Sequence, residues 1–280
     1  MTAAICCGFS PTNNGSVLLM TRSLLGFDDV EINEIQRGEA MEPLADEEIK
    51  SVLVVSAHPD DSDFGASGTI ATWIKKGIKV SYCICTNGDQ GGEESGIPVE
   101  EMPAVRQREQ RAAGAVIGVT EITFLNYRDG SLEPTIGLRK DIVRAIRIAQ
   151  PDRMVIQSPE RNWERIGASH PDHLAAGEAA IQAVYPDSRN PFAFPDLLEA
   201  GYKPWRVKEV WVSAHEKPDH WVDITETFPL KMAALREHAS QVGHNAELEE
   251  LVRAWGERNA YAAGFAEGRI AEAFKIVNTN

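Results

Sequence analysis

The first regular stretch of the chain is a short run of apolar, β-branched residues, Ser51-Val-Leu-Val-Val-Ser-Ala57. Continuous runs of this kind suit a strand buried on both faces. A small-residue helix is predicted over 65–76, with Gly77 placed to stop it as a C′ glycine. The alternation then repeats, with strands expected at 79–85, 122–125, 152–157 and 208–213. Helices are expected between them at 101–117, 137–149 and 172–184. Strands alternating with helices imply right-handed βαβ units, hence an α/β, Rossmann-like, mostly parallel sheet with helices on both faces. The C-terminal region reads as mostly helical, at 226–240 and 246–262, and closes with Ala271-Glu-Ala-Phe-Lys-Ile-Val277. Residues 1–48 hold no sustained period and read as an irregular leader, leaving 49–280 as a single α/β domain.

Composition narrows the function classes. The chain has 280 residues, 43% hydrophobic and 25% charged, an ordinary globular balance. Its formal net charge of −14 repels phosphate backbones and anionic lipid, so neither nucleic acid nor membrane is expected as a partner. No apolar run approaches the ~18–20 residues that span a bilayer, and the N-terminus lacks a secretory pattern, so a cytoplasmic protein is expected. Cys6, Cys7, Cys83 and Cys85 make no disulfide framework; Cys83 and Cys85 alternate within a strand and should share one core face.

The candidate chemistry lies where the first strand ends. A dinucleotide-binding fold would place a Gly-x-Gly-x-x-Gly turn there, but this strand delivers Ala57-His58-Pro59-Asp60-Asp61. Imidazole and carboxylate together suit zinc or another borderline divalent ion, and Pro59 stiffens the turn. The plainer reading is a helix N-cap by Asp60, Asp61 or Asp63. A second motif, Ser169-His170-Pro171-Asp172-His173, follows the strand at 152–157 and opens a helix. Ser169 and Asp172 resemble a capping box, and His170 and His173, at i and i+3, share one helical face. Asp172 is placed to accept from an imidazole N–H. Both motifs follow parallel strands, so one sheet edge holds both. Counting His58, Asp61 and His173 gives three protein ligands with one position left open, the pattern of a catalytic rather than a structural zinc site.

The paired motifs resemble those of the PIG-L/LmbE family of metal-dependent N-acetylglucosaminyl deacetylases, over about four-fifths of the chain. Thr86–Gly92, Arg106-Gln-Arg-Glu109, Asp129-Gly130, Lys231, Ser240-Gln241 and Ala271–Phe274 support the likeness. The resemblance implies His58, Asp61 and His173 as metal ligands for Zn²⁺, with Fe²⁺ as the alternative. It also implies Asp60 as general base and His170 as a catalytic histidine supported by Asp172, with Arg106 and Asp129 contacting the sugar. The implied reaction is hydrolysis of the N-acetyl group of an amino sugar or its conjugate, a small-molecule substrate, with self-association left open. The alternatives are an amidase of the same family acting on a thiol-sugar conjugate and a non-catalytic sugar-binding module. Ser62 stands where many members carry Glu, which bears on substrate rather than chemistry.

Overall fold

The computed structural model describes residues 42–164 and 166–279. The expected leader therefore lies almost wholly outside the described residues. Five parallel strands form most of the sheet: β1 (Ser51–Ser56), β2 (Lys79–Thr86), β3 (Glu121–Tyr127), β4 (Arg153–Gln157) and β5 (Glu209–Ser213). The helices α1 (Asp61–Lys75), α2 (Met102–Ile117), α3 (Ile136–Ala149) and α4 (Pro171–Gln182) supply the crossovers, and a short α5 (Pro195–Glu199) precedes β5. Beyond them come β6 (His220–Asp223), α6 (Phe228–Arg236), α7 (Ala239–Val242), α8 (Leu248–Ala262) and β7 (Ala271–Asn278).

The strands run in the order β3-β2-β1-β4-β5-β7-β6. Because order reverses between β1 and β4, a crevice opens beyond their carboxyl ends, the usual ligand position in such sheets. Each strand alternates its side chains between two cores. Leu53, Val55, Met154 and Ile156 pack with Leu138, Ile142 and Ala176, on the α3–α4 face. Val52, Val54 and Val155 pack with Ile70, Trp73 and Ile117, on the α1–α2 face. Cys83 and Cys85 do share the α3–α4 core, where burial pushes the Cys83 thiol up to about 12, so it stays protonated.

Two expectations about the C-terminal region change. The closing segment is strand β7, antiparallel to β5, and it carries an unforeseen edge strand, β6. The single helix expected over 226–240 breaks after Arg236, because His238 leaves helical geometry (φ −81°, ψ 52°) and turns its ring inward. Residues 42–48, grouped by sequence with the leader, bind the sheet: Leu44 N–H donates to Glu209 and Asp46 pairs with the buried Arg153. Among the described residues no helix is long and apolar enough to cross a membrane.

The helix bearing the second motif lies unusually close to the sheet. A Cβ added at Gly177 of α4 would meet Gln157 O at 2.3 Å and Pro159 N at 2.9 Å, both backbone atoms that cannot swing aside. Gly177→Ala is therefore expected to cost about 1–3 kcal/mol through overpacking. Gly137→Ala, whose added methyl would meet nothing closer than 3.6 Å, should be neutral or slightly stabilising. Urea unfolding of the two variants checks the contrast.

Candidate active site

The crevice between β1 and β4 is built from two turns. The first leaves β1 at Ala57, whose N–H donates to the Gln157 side chain of β4 at 2.8 Å, tying the two strand ends together. Three residues on, Asp60 adopts left-handed backbone (φ 94°, ψ −29°), which a non-glycine residue keeps only where its surroundings enforce it. Here they do: Asp60 N–H donates to Gln110 Oε1 at 2.8 Å, and Arg106 Nη2 donates to Pro59 O at 2.5 Å. Asp60 occupies the N-cap position of α1 without a capping side-chain bond, so the plainer reading of this motif does not describe it. Instead Asp61 Oδ2 accepts from His58 N–H at 2.6 Å.

Two imidazole nitrogens and the two oxygens of one carboxylate then converge. His58 Nδ1 lies 3.2 Å from Asp61 Oδ2 and 3.2 Å from His173 Nε2, and His173 Nε2 lies 3.0 Å from Asp61 Oδ1. Ligand atoms set tetrahedrally about a zinc ion at ~2.0–2.1 Å stand about 3.3 Å apart, so these donors suit such an ion with little movement. Two further groups bring ligand atoms within 4.8 Å of one another, His58 with His170 and His173, and His58 with Asp129 and Asp172. The last faces the other ring nitrogen: His58 Nε2 lies 3.0 Å from Asp129 Oδ1 and 3.2 Å from Asp172 Oδ2. Asp172 is spent on protein donors, accepting from Gly130 N–H at 2.7 Å and Leu132 N–H at 3.1 Å. A cation could sit on the Nδ1 side, where Asp129 and Asp172 would then contact the ring from the Nε2 side.

Charge follows the geometry. Burial pulls the His58 imidazole down, but Asp61, Asp129 and Asp172 outweigh it and push it up to about 12. Burial would raise Asp61, yet His173 and His58 hold it well below the usual carboxylate range. The cluster therefore demands positive charge. Asp60 differs from its neighbour: burial raises it, against the opposing pull of Arg106.

His170 stands at the mouth, its ring centroid 4.9 Å from that of His58 and 5.2 Å from that of His173. It caps α4, its Nδ1 accepting the Asp172 backbone N–H at 3.2 Å. Burial, then the neighbouring His58 and His173 imidazoles, lowers its affinity for a proton. A neutral His170 with its proton on Nε2 is the form these contacts favour.

Several sequence expectations need correcting in detail. Ser169 does not cap α4; His170 does, and the Ser169 hydroxyl accepts from Asn162 N–H at 2.7 Å. The Asp172 carboxylate meets His58 rather than His170, because the Gly130 and Leu132 amides turn it away from the helix start. Arg106 and Asp129, expected to touch the sugar, are only 3% and 6% exposed. Arg106 is engaged with Pro59, Gly88, Asp60 and Asp129. His58, Asp60, Asp61, His170, Asp172 and His173 do come together. Sequence reasoning missed Gln110, Asp63 and His238, although Gln110 lies one helical turn from Arg106, on the same face of α2.

Residues 53–184 match the PIG-L family, described as GlcNAc-PI de-N-acetylase. The chain is 34% identical over 200 residues to diacetylchitobiose deacetylase of Thermococcus kodakarensis, covering 71% of this chain and 72% of that protein. It is 30% identical to a probable N-acetyl-alpha-D-glucosaminyl L-malate deacetylase 2 of Bacillus anthracis, covering 69% and 81%. The solved structure of N,N'-diacetylchitobiose deacetylase from Pyrococcus horikoshii superposes with a TM-score of 0.76 at 31% identity, over 83% of this chain and 85% of that one. The chain belongs to the PIG-L family, and these relatives are N-acetylglucosamine-type deacetylases.

Beneath the first turn, His238 Nε2 lies 2.9 Å from Asp63 Oδ2, both side chains fully buried. Burial alone would lower His238, but the bond and charge of Asp63 raise it above the unfolded value. A raised imidazole contributes stability that is complete below pH ~6.5 and is lost as pH climbs through the folded-state value. The stability gap between wild type and His238→Gln should accordingly be widest near pH 6 and narrow steadily in alkali, as urea unfolding across pH would register.

Proposed function

We propose that the protein is a zinc-dependent hydrolase that removes the N-acetyl group from an N-acetylglucosamine-type sugar or its conjugate. The observation that carries this reading is the convergence of His58 Nδ1, Asp61 and His173 Nε2 beside a carboxylate, Asp60, that pairs with no imidazole. The family supports it, since the relatives named above are deacetylases of such sugars. His58, Asp61 and His173 would hold the ion, which when bound supplies Lewis acidity and a water of lowered pKa.

The chain's own groups do the rest. Asp60, kept basic by burial and held through Oδ2 by Arg106 at 3.1 Å, takes the proton of the attacking water. His170 donates from Nε2 to the acetamide oxygen as negative charge develops there. Its lowered proton affinity makes it a neutral donor rather than an imidazolium. The departing amine is then protonated by Asp60, which already carries the water's proton. Asp129 and Asp172 act as positioning residues through His58 Nε2, and Arg106 acts through Asp60. Acetate and the free amine are the products.

The test is acetate release from N-acetylglucosamine, N,N'-diacetylchitobiose and N-acetylglucosaminyl malate by protein of measured metal content. About one equivalent of metal and measurable turnover are expected. Asp60→Asn should keep the metal and lose ~10²–10⁴ in rate, whereas Asp61→Asn should bind metal weakly. His170→Ala should keep metal and KM and lose ~10²–10³ in kcat. Fully loaded wild type that releases no acetate from any of these conjugates would overturn the reading.

A further inference from the structure

We propose that Gln110, locked by Asp63 and His238 behind it, is a positioning residue that sets the geometry of Asp60. The proposal rests on the reading of Asp60 as general base. Left-handed backbone at a non-glycine residue is strained and persists only when neighbouring contacts over-determine it. Both peptide groups of Asp60 are pinned. Its N–H donates to Gln110 Oε1 at 2.8 Å, while its carbonyl accepts from Asp63 N–H at 2.9 Å and Phe64 N–H at 3.0 Å.

Gln110 cannot swap its amide ends. Its Nε2 donates to Asp63 Oδ2 at 2.7 Å, which forces Oε1 to face Asp60. Asp63 Oδ2 also meets His238 Nε2 at 2.9 Å, and none of these three side chains reaches solvent. The contacts close a ring: Asp60 N–H to Gln110, Gln110 to the Asp63 carboxylate, and Asp63 N–H back to the Asp60 carbonyl. α6 and β7 brace the same turn of α1. Lys231 Nζ donates to Asp63 O at 2.9 Å, Phe64 O at 2.7 Å and Glu272 Oε1 at 2.6 Å. Gln110 and His238 make their side-chain contacts with Asp60 and Asp63. Their effect reaches the reaction through the direction in which the Asp60 carboxylate is aimed, and small misplacements of a reacting group are costly in rate.

Four variants of the metal-loaded full chain test this, with kcat expressed per bound metal. Gln110→Ala should lower kcat tenfold to a hundredfold, with KM and metal content unchanged. Gln110→Glu should fall similarly, because its carboxylate still accepts from Asp60 N–H but repels Asp63. Adding Asp63→Asn to Gln110→Glu rebuilds the bridge with its polarity reversed, since the new amide at 63 donates one hydrogen to the new carboxylate at 110 and the other to His238 Nε2, which accepts in its Nδ1–H tautomer. That double variant should recover to within about fivefold of wild type, a rescue that general destabilisation would not produce. A lowered Tm with kcat per metal intact in Gln110→Ala overturns the proposal, as does a folded, loaded double variant no faster than Gln110→Glu. Asp60→Asn separates the two layers: wild-type kcat in that variant would dispose of Asp60 as base, whatever Gln110 does.

Discussion

The gathering of three carboxylates round one buried imidazole governs the arrangement of the crevice. Asp61 approaches His58 from the Nδ1 side, and Asp129 and Asp172 approach from the Nε2 side, all within 3.2 Å. So much negative charge out of water is tolerable only with a cation among it, and in the free protein a proton on His58 serves. A divalent ion on the Nδ1 side would replace that proton. The Nε2–H would then remain with the two rear carboxylates, which fix the tautomer and the ring plane. The acidic residues at the starts of α1 and α4 and in the loop after β3 thus make one electrostatic unit, and the strand reversal at β1 and β4 is what lets them meet.

Backbone handedness separates the two adjacent aspartates. Asp61 enters the first turn of α1 and faces the imidazoles, whereas Asp60, in left-handed geometry, pairs with Arg106. Neighbouring residues of the same type consequently titrate in opposite directions, Asp61 down toward its cationic partners and Asp60 up through burial. Opposed environments of this kind let one carboxylate serve as ligand while the other moves a proton. His170 completes the division. As the cap of α4 it has its Nδ1 taken by a backbone N–H, which leaves Nε2 as its donor.

The C-terminal part of the chain does more than cover the sheet. Glu272 of β7 accepts from the Gly68 and Thr69 amides within α1 and pairs with Lys231 of α6, while His238 meets Asp63. These buried polar contacts join the antiparallel end of the sheet to the helix that starts at the turn bearing Asp60 and Asp61. Their satisfaction matters because an unmet polar group there would cost its full desolvation.

The amino-acid sequence alone determined the parallel βαβ frame, since short β-branched runs and glycine-stopped helices are local signals. It also determined that His58, Asp60, Asp61, His170 and His173 stand at strand ends and share one edge, because each motif directly follows its strand or opens the next helix. Tertiary structure decided which partner each group takes. Asp172 meets His58 across 114 residues of chain, and no local pattern distinguishes that contact from one to the nearby His170. Arg106, which the family resemblance set against the sugar, is buried because α2 packs it onto the first turn. Residues 271–278 become a strand only where β5 and β6 offer hydrogen bonds, and the proton affinity of His170 follows from burial and from imidazoles contributed by two separate elements. Periodicity and turn chemistry act over a few residues, whereas burial and charge depend on what the rest of the chain brings alongside.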